Sequence, residues 1–223
     1  MNVSIKITAD GSPTFYRDDI DEHYHSVKGA LAESLHVYVR SGWQEATRRS
    51  SGVRVFEVGF GTGLNAVLTA GAALESAVAT EYFSAELYPL PEQSSALFGE
   101  ALPEEYRRIL HDVNAAPWDE TSLINPYFTL SKLHDNLLTM KLPERIDVVY
   151  FDAFAPEKQP EMWHSSIFQK IFQSMNPGGV LTTYCAKGAI RRMLGEIGFQ
   201  VERLPGPPGG KREILRAVRP DHT

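Results

Sequence analysis

Four carboxylates and one run of glycines carry most of the chemistry that this sequence offers. Glu57-Val58-Gly59-Phe60-Gly61-Thr62-Gly63-Leu64-Asn65 sets three glycines at alternate positions, where a short β-branched run gives way to an Ala/Leu-rich one. Such a run lets the backbone turn sharply and lets a ligand reach the peptide groups without meeting side chains. The start of the following helix adds free N–H donors. Glu86 closes a second β-favouring run about twenty residues further on, where nucleotide-binding sheets hold an acid against two ribose hydroxyls. Asp135 follows a third run of this kind and Asp152 a fourth, so these acids gather at the carboxyl ends of neighbouring strands, beside the expected crevice.

The same residues narrow the ligand. A dinucleotide site uses Gly-x-Gly-x-x-Gly to seat a pyrophosphate on the helix, whereas this chain has Gly-x-Gly-x-Gly led by Glu57. A carboxylate there repels a pyrophosphate and suits a cation. That points to S-adenosyl-L-methionine, a phosphate-free sulfonium, and to methyl rather than hydride transfer. Glu57, Gly59, Phe60, Gly61, Thr62, Gly63, Asn65 and Glu86 are then expected around the cofactor, with Asp135 accepting from an adenine amino group. Two plainer readings stay open: a glycine turn with no ligand, and Asp135 as the N-cap of a helix over Leu137-Leu138. Asp152, in Phe151-Asp152-Ala153-Phe154-Ala155-Pro156, can accept from an incoming amine and hold its lone pair in line with a methyl carbon. Phe154 and Pro156 would shape a flat apolar slot. The alternative is an Asx-type turn closed by Asp152 on its own backbone.

These residues need a frame, and the pattern of the chain supplies one. Val3 to Thr8 alternates apolar and polar residues, Asp10-Gly11 supplies a turn and Thr14-Phe15-Tyr16 resumes, which predicts a hairpin. Helical spacing follows over Ala30 to Val39. Strands are expected at Val53–Val58, Thr80–Leu87, Tyr127–Leu133, Asp147–Phe151 and Val180–Tyr184, with a closing pair at Phe199–Leu204 and Arg212–Val218. Helices are expected at Leu64–Ala79, Pro91–Phe98, Pro103–Val113, Pro160–Met175 and Lys187–Ile197. This alternation implies an α/β fold with a doubly wound, mainly parallel, Rossmann-like sheet and an N-terminal hairpin and helix extension. With no Pro/Gly-rich linker, 1–223 reads as one domain, an extension over 1–45 on a core over 50–219.

At 223 residues, 43% hydrophobic and 22% charged, the chain has the makeup of a folded globular domain. Its formal charge of −6 removes net attraction as a reason for binding nucleic acid. The C-terminal part departs from this balance. Lys187, Arg191, Arg192, Arg203, Lys211, Arg212, Arg216 and Arg219 stand against Glu196, Glu202 and Glu213. That is either a phosphate-binding patch, with Lys211 and Arg212 on a glycine-rich loop best placed to reach RNA, or a solvated face. The histidines, His23, His25, His36, His111, His134, His164 and His222, share no ligand spacing with carboxylates, so no metal is expected. Cys185 reads as a small packed hydrophobe, and Trp163 as a staple on the Asp152 loop rather than a stacking platform. No apolar leader or bilayer-length run is present, which predicts a cytoplasmic protein away from membranes.

Longer motifs carry a resemblance. Glu57-Val-Gly-Phe-Gly-Thr-Gly-Leu-Asn65, Phe151-Asp-Ala-Phe-Ala-Pro156 followed by Lys158-Gln-Pro-Glu-Met-Trp163, Gly210-Lys-Arg-Glu213, and the stretch Tyr24-His-Ser26, Ala30-Leu31, Glu33-Ser34 resemble the family formed by the methyltransferase half of the bacterial tRNA-modifying enzyme MnmC and its stand-alone, MnmD-type relatives. The resemblance implies a class I methyltransferase fold. It also implies S-adenosyl-L-methionine-dependent methylation of the aminomethyl nitrogen on carbon 5 of a wobble uridine, often 2-thiolated, in tRNA. Asp152 would be the catalytic residue at the amine, Glu86 and Asp135 would hold the cofactor, and Tyr24, Ser26 and Glu33 would border the substrate. No flavin is expected in this chain, so a separate enzyme would uncover the amine. Two rivals share the fold: an aminopropyltransferase of the spermidine-synthase kind, and a catalytically silent RNA-binding module.

Overall fold

The structure is a computed structural model that describes residues 3–18, 21–24, 28–91, 98–99 and 102–221. The N-terminal residues form a three-stranded antiparallel sheet of β1 (Val3–Ile7), β2 (Pro13–Arg17) and β3 (Glu22–His23), with the expected hairpin in register Val3↔Arg17 to Ile7↔Pro13. Helix α1 follows, running from Ala30–Ser34 through a wide π-helical stretch, Leu35–Trp43, into Gln44–Thr47. It is longer than the sequence predicts. Val37, Tyr38, Val39 and Trp43 are all buried, and Trp43 Nε1 donates to Thr80 Oγ1 at 3.0 Å, so tertiary packing overrides the weak helix propensity of these residues. The hairpin turn caps this helix from outside: Ala30 N donates to Ser12 Oγ and Ala32 N to Asp10 Oδ2. The extension is thereby tied to the helix that carries Glu33 and Tyr38.

The main sheet comprises β4 (Gly52–Val58), β5 (Ala79–Ala85), β6 (Thr121–Asn125), β7 (Phe128–Leu133), β8 (Ile146–Phe151), β9 (Met175–Thr183), β10 (Gln200–Pro205) and β11 (Glu213–Val218). Their order is β10-β11-β9-β8-β4-β5-β7-β6. The five central strands are parallel, while β6, β10 and β11 pair antiparallel at the edges. The mainly parallel, doubly wound expectation therefore holds. Helices α2 (Leu64–Ser76), α3 (Glu104–Ala115), α4 (Ser165–Ser174) and α5 (Gly188–Ile197) accompany it.

Period-2 alternation divides the interior. Val53, Val55, Val148 and Tyr150 join a core shared with α1, α2 and α3, while Phe56, Val58, Val149 and Phe151 join one shared with α4 and α5. Neighbours of β4 lie on both sides: the chain goes to β5 on one side and returns to β8 on the other. This switch point opens a crevice at the strand tips.

Several boundaries differ from the sequence reading. Helix α2 stops at Ser76 because Ala77 takes a left-handed conformation. The single helix expected over Pro160–Met175 is a 3₁₀ turn, Pro160–Trp163, then α4 after an extended His164. Strand β9 starts five residues early, at Met175. Strand β6 is absent from the expectation. The helix expected over Pro91–Phe98 lies mostly outside the described residues. Among the described residues, no helix is long and apolar enough to cross a membrane.

Candidate active site

The crevice is assembled by backbone pairing at the strand tips. Gly59 N donates to Ala85 O at 3.0 Å, Asp152 N to Val58 O at 3.1 Å and Glu86 N to Leu133 O at 3.0 Å. These bonds hold the ends of β4, β5, β7 and β8 together. Gly59 has φ +89, and a Cβ built there would stand 3.1 Å from Asp152 O, so only glycine lets the two loops meet this closely.

A cavity of about 290 Å³ occupies the crevice, lined by Gly59, Phe60, Gly61, Asn65, Glu86, Asp135, Asp152 and Phe154, with Tyr24 and Arg17 from the extension. A second, of about 410 Å³, is lined by Glu22, His23, Tyr24, Glu33, Asp152, Ala153, Phe154, Ala155, Tyr184 and Lys211. Tyr24, Asp152, Ala153 and Phe154 border both cavities. The Tyr24 and Phe154 rings meet edge-on at 5.2 Å, and a Cβ on Gly61 would stand 3.0 Å from the Tyr24 ring, so the extension lies against the glycine loop.

Asp152 sits at this junction with both carboxylate oxygens engaged. Tyr38 donates to Oδ1 at 2.5 Å and Asn65 Nδ2 to Oδ2 at 2.8 Å. Burial pushes its carboxyl up to about 7, with Glu33's charge adding to the rise, while the hydrogen bonds from Tyr38 and Asn65 and the charge of Lys211 oppose it. The Asn65 amide also donates to Glu57 Oε1 at 3.0 Å, and Ser84 Oγ donates to Oε2 at 2.6 Å. Tyr38 is a site residue the sequence reading missed. A tyrosine among His36-Val37-Tyr38-Val39 looks like core, and only the fold brings it to Asp152.

The structure moves several expected contacts. Glu57 does not face the cavity: it is fully buried behind Asn65, and burial pushes its carboxyl up to about 8. The carboxylates that do line the cavity include Glu86, Asp135 and Asp152. Thr62 and Gly63 also stand off the cavity wall; Thr62 Oγ1 accepts from Leu64 N at 3.3 Å. Nor are three of the loop amides free donors. Gly59 N is bonded to Ala85 O, Gly61 N to Glu86 Oε2 at 3.2 Å and Gly63 N to Phe60 O at 2.8 Å. With those three amides committed, the loop has fewer donors for a phosphate than its glycine spacing suggests.

Glu86 and Asp135 do line the first cavity. Glu86 accepts from Gly61 N and Tyr88 N, two of about four lone pairs on a carboxylate, which leaves acceptors for a diol. Asp135 is exposed and accepts from Asn136 N, and a turn follows rather than the alternative helix. Of the residues expected at the substrate, Glu33, Phe154 and Lys211 line the second cavity, whereas Pro156 and Arg212 line neither; Ser26 lies outside the described residues. Trp163 staples the Asp152 loop as expected, donating from Nε1 to Phe154 O at 2.7 Å, and Cys185 is buried at 4% exposure.

The basic stretch is not one free patch. Lys187 pairs with Glu157, Arg203 with Glu213, Lys211 with Glu33, and Arg216 with Glu45 and Glu202. Arg191, Arg192 and Arg212 are exposed and form no ion pair among the described residues.

Residues 128–220 match a family model described as S-adenosyl-L-methionine-dependent methyltransferase. The chain is 33% identical over 211 residues to the tRNA 5-methylaminomethyl-2-thiouridine biosynthesis bifunctional protein MnmC of Chromobacterium violaceum, covering 86% of this chain and 31% of that protein. Against MnmC of Ralstonia nicotianae it is 30% identical, covering 97% of this chain and 34% of the relative. It thus spans about a third of the length of these curated relatives. The crystal structure of MnmC2 from Aquifex aeolicus superposes with a TM-score of 0.81 at 28% identity, covering 100% of this chain and 71% of that one. Spermidine synthase from Thermotoga maritima matches at a TM-score of 0.59 and 13% identity, a likeness of fold alone. The chain is thus similar over 86% of its length to about a third of an MnmC protein, and its residues 128–220 carry the match to S-adenosyl-L-methionine-dependent methyltransferases.

Proposed function

We propose that this protein transfers a methyl group from S-adenosyl-L-methionine to the aminomethyl nitrogen of 5-aminomethyluridine, or its 2-thio form, at the wobble position of tRNA. The observation that carries this reading is Asp152, the one carboxylate among the described residues that borders both cavities. Residues 1–223 act as one domain in which the extension walls the substrate side. The first cavity fits the cofactor: Glu86 has acceptors for the ribose hydroxyls, Asp135 for the adenine amino group, and the glycine loop offers its backbone without demanding a phosphate. When bound, the cofactor supplies an electrophilic methyl on a sulfonium that leaves as a neutral thioether.

The protein's own task is to deliver a neutral amine in line with that methyl. A primary alkylamine is protonated below roughly pH 10 in water, and only its neutral form has a lone pair. Partial desolvation lowers that value. Asp152, held by Tyr38 and Asn65, accepts an N–H of the amine, aims its lone pair at the first cavity and takes up the released proton. Phe154 and Tyr24 form apolar walls between the two cavities. The amine itself is uncovered by a separate activity. The two MnmC relatives favour methyl transfer over aminopropyl transfer, for which only fold similarity speaks. We place the reaction in the cytoplasm, where tRNA is modified. Incubating the protein with methyl-labelled cofactor and hypomodified tRNA, followed by nucleoside analysis, tests the reading; the label is expected in 5-methylaminomethyluridine or its 2-thio form.

A further inference from the structure

The second cavity holds a primary alkylammonium that belongs to the protein itself. Nζ of Lys211 lies 3.5 Å from the centroid of the Tyr184 ring and 3.7 Å from Oε1 of Glu33. An aromatic face beside a carboxylate is a general recognition element for ammonium groups. The two halves of this contact are held differently. The Tyr184 hydroxyl is anchored on Ala153 O at 2.9 Å, and the Glu33 side chain is only 11% exposed on α1. Lys211 is 44% exposed and arrives from the Pro/Gly-rich loop between β10 and β11. Tyr184 and Glu33 are thus fixed in the fold, whereas the lysine reaches them from an exposed loop.

Charge in the cavity agrees. Glu22, Glu33 and Asp152 line it, and Lys211 is the one lysine or arginine among the described residues that does. If Lys211 leaves, an acidic pocket with an aromatic floor opens beside Asp152, suited to a cation of the same chemical kind.

We propose that the Tyr184 face and Glu33 form the docking subsite at which the substrate's alkylammonium group arrives, before it loses a proton to solvent and turns to Asp152 as the neutral amine, and that Lys211 is an internal stand-in that fills this subsite until RNA arrives. This deepens the function proposed above and rests on it. A phosphate of the incoming RNA offers the Lys211 ammonium a new counter-ion, so the polymer empties the subsite that its own amine then enters. A free nucleoside carries no phosphate and must compete with the lysine unaided. Lys211 thus favours RNA over small amines of the same shape.

The test compares wild type with Lys211→Met, both saturated with the demethylated cofactor, for binding of the 5-aminomethyluridine nucleoside and of hypomodified tRNA. The variant is expected to bind the nucleoside about tenfold tighter and the tRNA more weakly, with a shallower salt dependence. Adding Tyr184→Leu to Lys211→Met is expected to abolish the gain for the nucleoside. Unchanged or weaker nucleoside binding by Lys211→Met, or a gain that survives Tyr184→Leu, overturns the inference. Methyl transfer to tRNA by the wild type is measured in parallel. Its absence overturns the underlying function, whereas turnover without the nucleoside gain overturns the stand-in alone.

Discussion

The hydroxyl of Tyr38 donates to Oδ1 of Asp152 at 2.5 Å across 114 positions of sequence. It comes from the π-helical stretch of α1, so a local widening of the helix points a buried phenol at the strand tip where two cavities join. Because the bond favours the ionised carboxylate, Tyr38→Phe is expected to raise the Asp152 pKa and move the acid limb of kcat/KM to higher pH. A fall in kcat of roughly tenfold or more accompanies it, with cofactor affinity unchanged. A pH–rate profile identical to wild type would remove Tyr38 from the site.

Activity itself is expected to rise with pH through about 7, as Asp152 loses its proton and becomes able to accept from the amine. The measurement is kcat/KM between about pH 5.5 and 8.5 with saturating cofactor. In Asp152→Asn this limb disappears. The variant keeps more turnover than Asp152→Ala if orientation outweighs proton uptake.

Glu57 predicts a separate effect on the ligand-free fold. Its carboxyl is pushed from 4.5 to about 8 by burial, so the folded state binds a proton that the unfolded chain has lost. The stabilisation is fully present below pH 4.5 and is lost as pH rises through about 8. Thermal or denaturant unfolding is expected to show stability falling by about 4 kcal/mol from roughly pH 5 to 9, and Glu57→Gln to flatten that slope. A slope unchanged in the variant would assign it to other groups.

Glu86 and Asp135 should act on the cofactor alone. Glu86→Ala is expected to weaken S-adenosyl-L-methionine by roughly tenfold or more through loss of charge-assisted bonds to the ribose, and Asp135→Ala by less, since Asp135 is exposed. Calorimetry reads both. Equal tRNA affinity in these variants and wild type is the accompanying expectation.

RNA binding is expected to depend on the unpaired arginines. Arg191→Ala with Arg212→Ala should reduce the salt slope by about 2, whereas Arg203→Ala with Arg216→Ala should change it less, since those two are engaged by Glu213, Glu45 and Glu202. Reversal of that order would relocate the RNA face.

Much of this was legible in the sequence where signals are local. The strand, glycine turn and helix around Glu57 to Asn65, the acid after β5 and the acid after β8 follow from contiguous patterns, and the parallel sheet follows from their alternation. What escaped depends on contacts between distant segments. Glu57 leads the loop in sequence, yet strand alternation turns it away from the crevice to Asn65 and Ser84. The basic stretch left a patch and a solvated face equally open because its partners Glu33, Glu45 and Glu157 lie elsewhere in the chain. Strand β6, Thr121-Ser-Leu-Ile-Asn125, is a short edge whose Leu123 is 72% exposed, so it lacks a buried face to announce it.

The central claim is that a cofactor methyl in the first cavity meets a wobble aminomethyl nitrogen held at Asp152. The most direct measurement is transfer of labelled methyl to hypomodified tRNA by wild type and Asp152→Ala, with cofactor affinity recorded for both. The account predicts 5-methylaminomethyluridine or its 2-thio form from the wild type, and a loss on the order of 100-fold or more in the variant with cofactor affinity retained. Unlabelled wobble uridine with the wild type, or full turnover by Asp152→Ala, would contradict it.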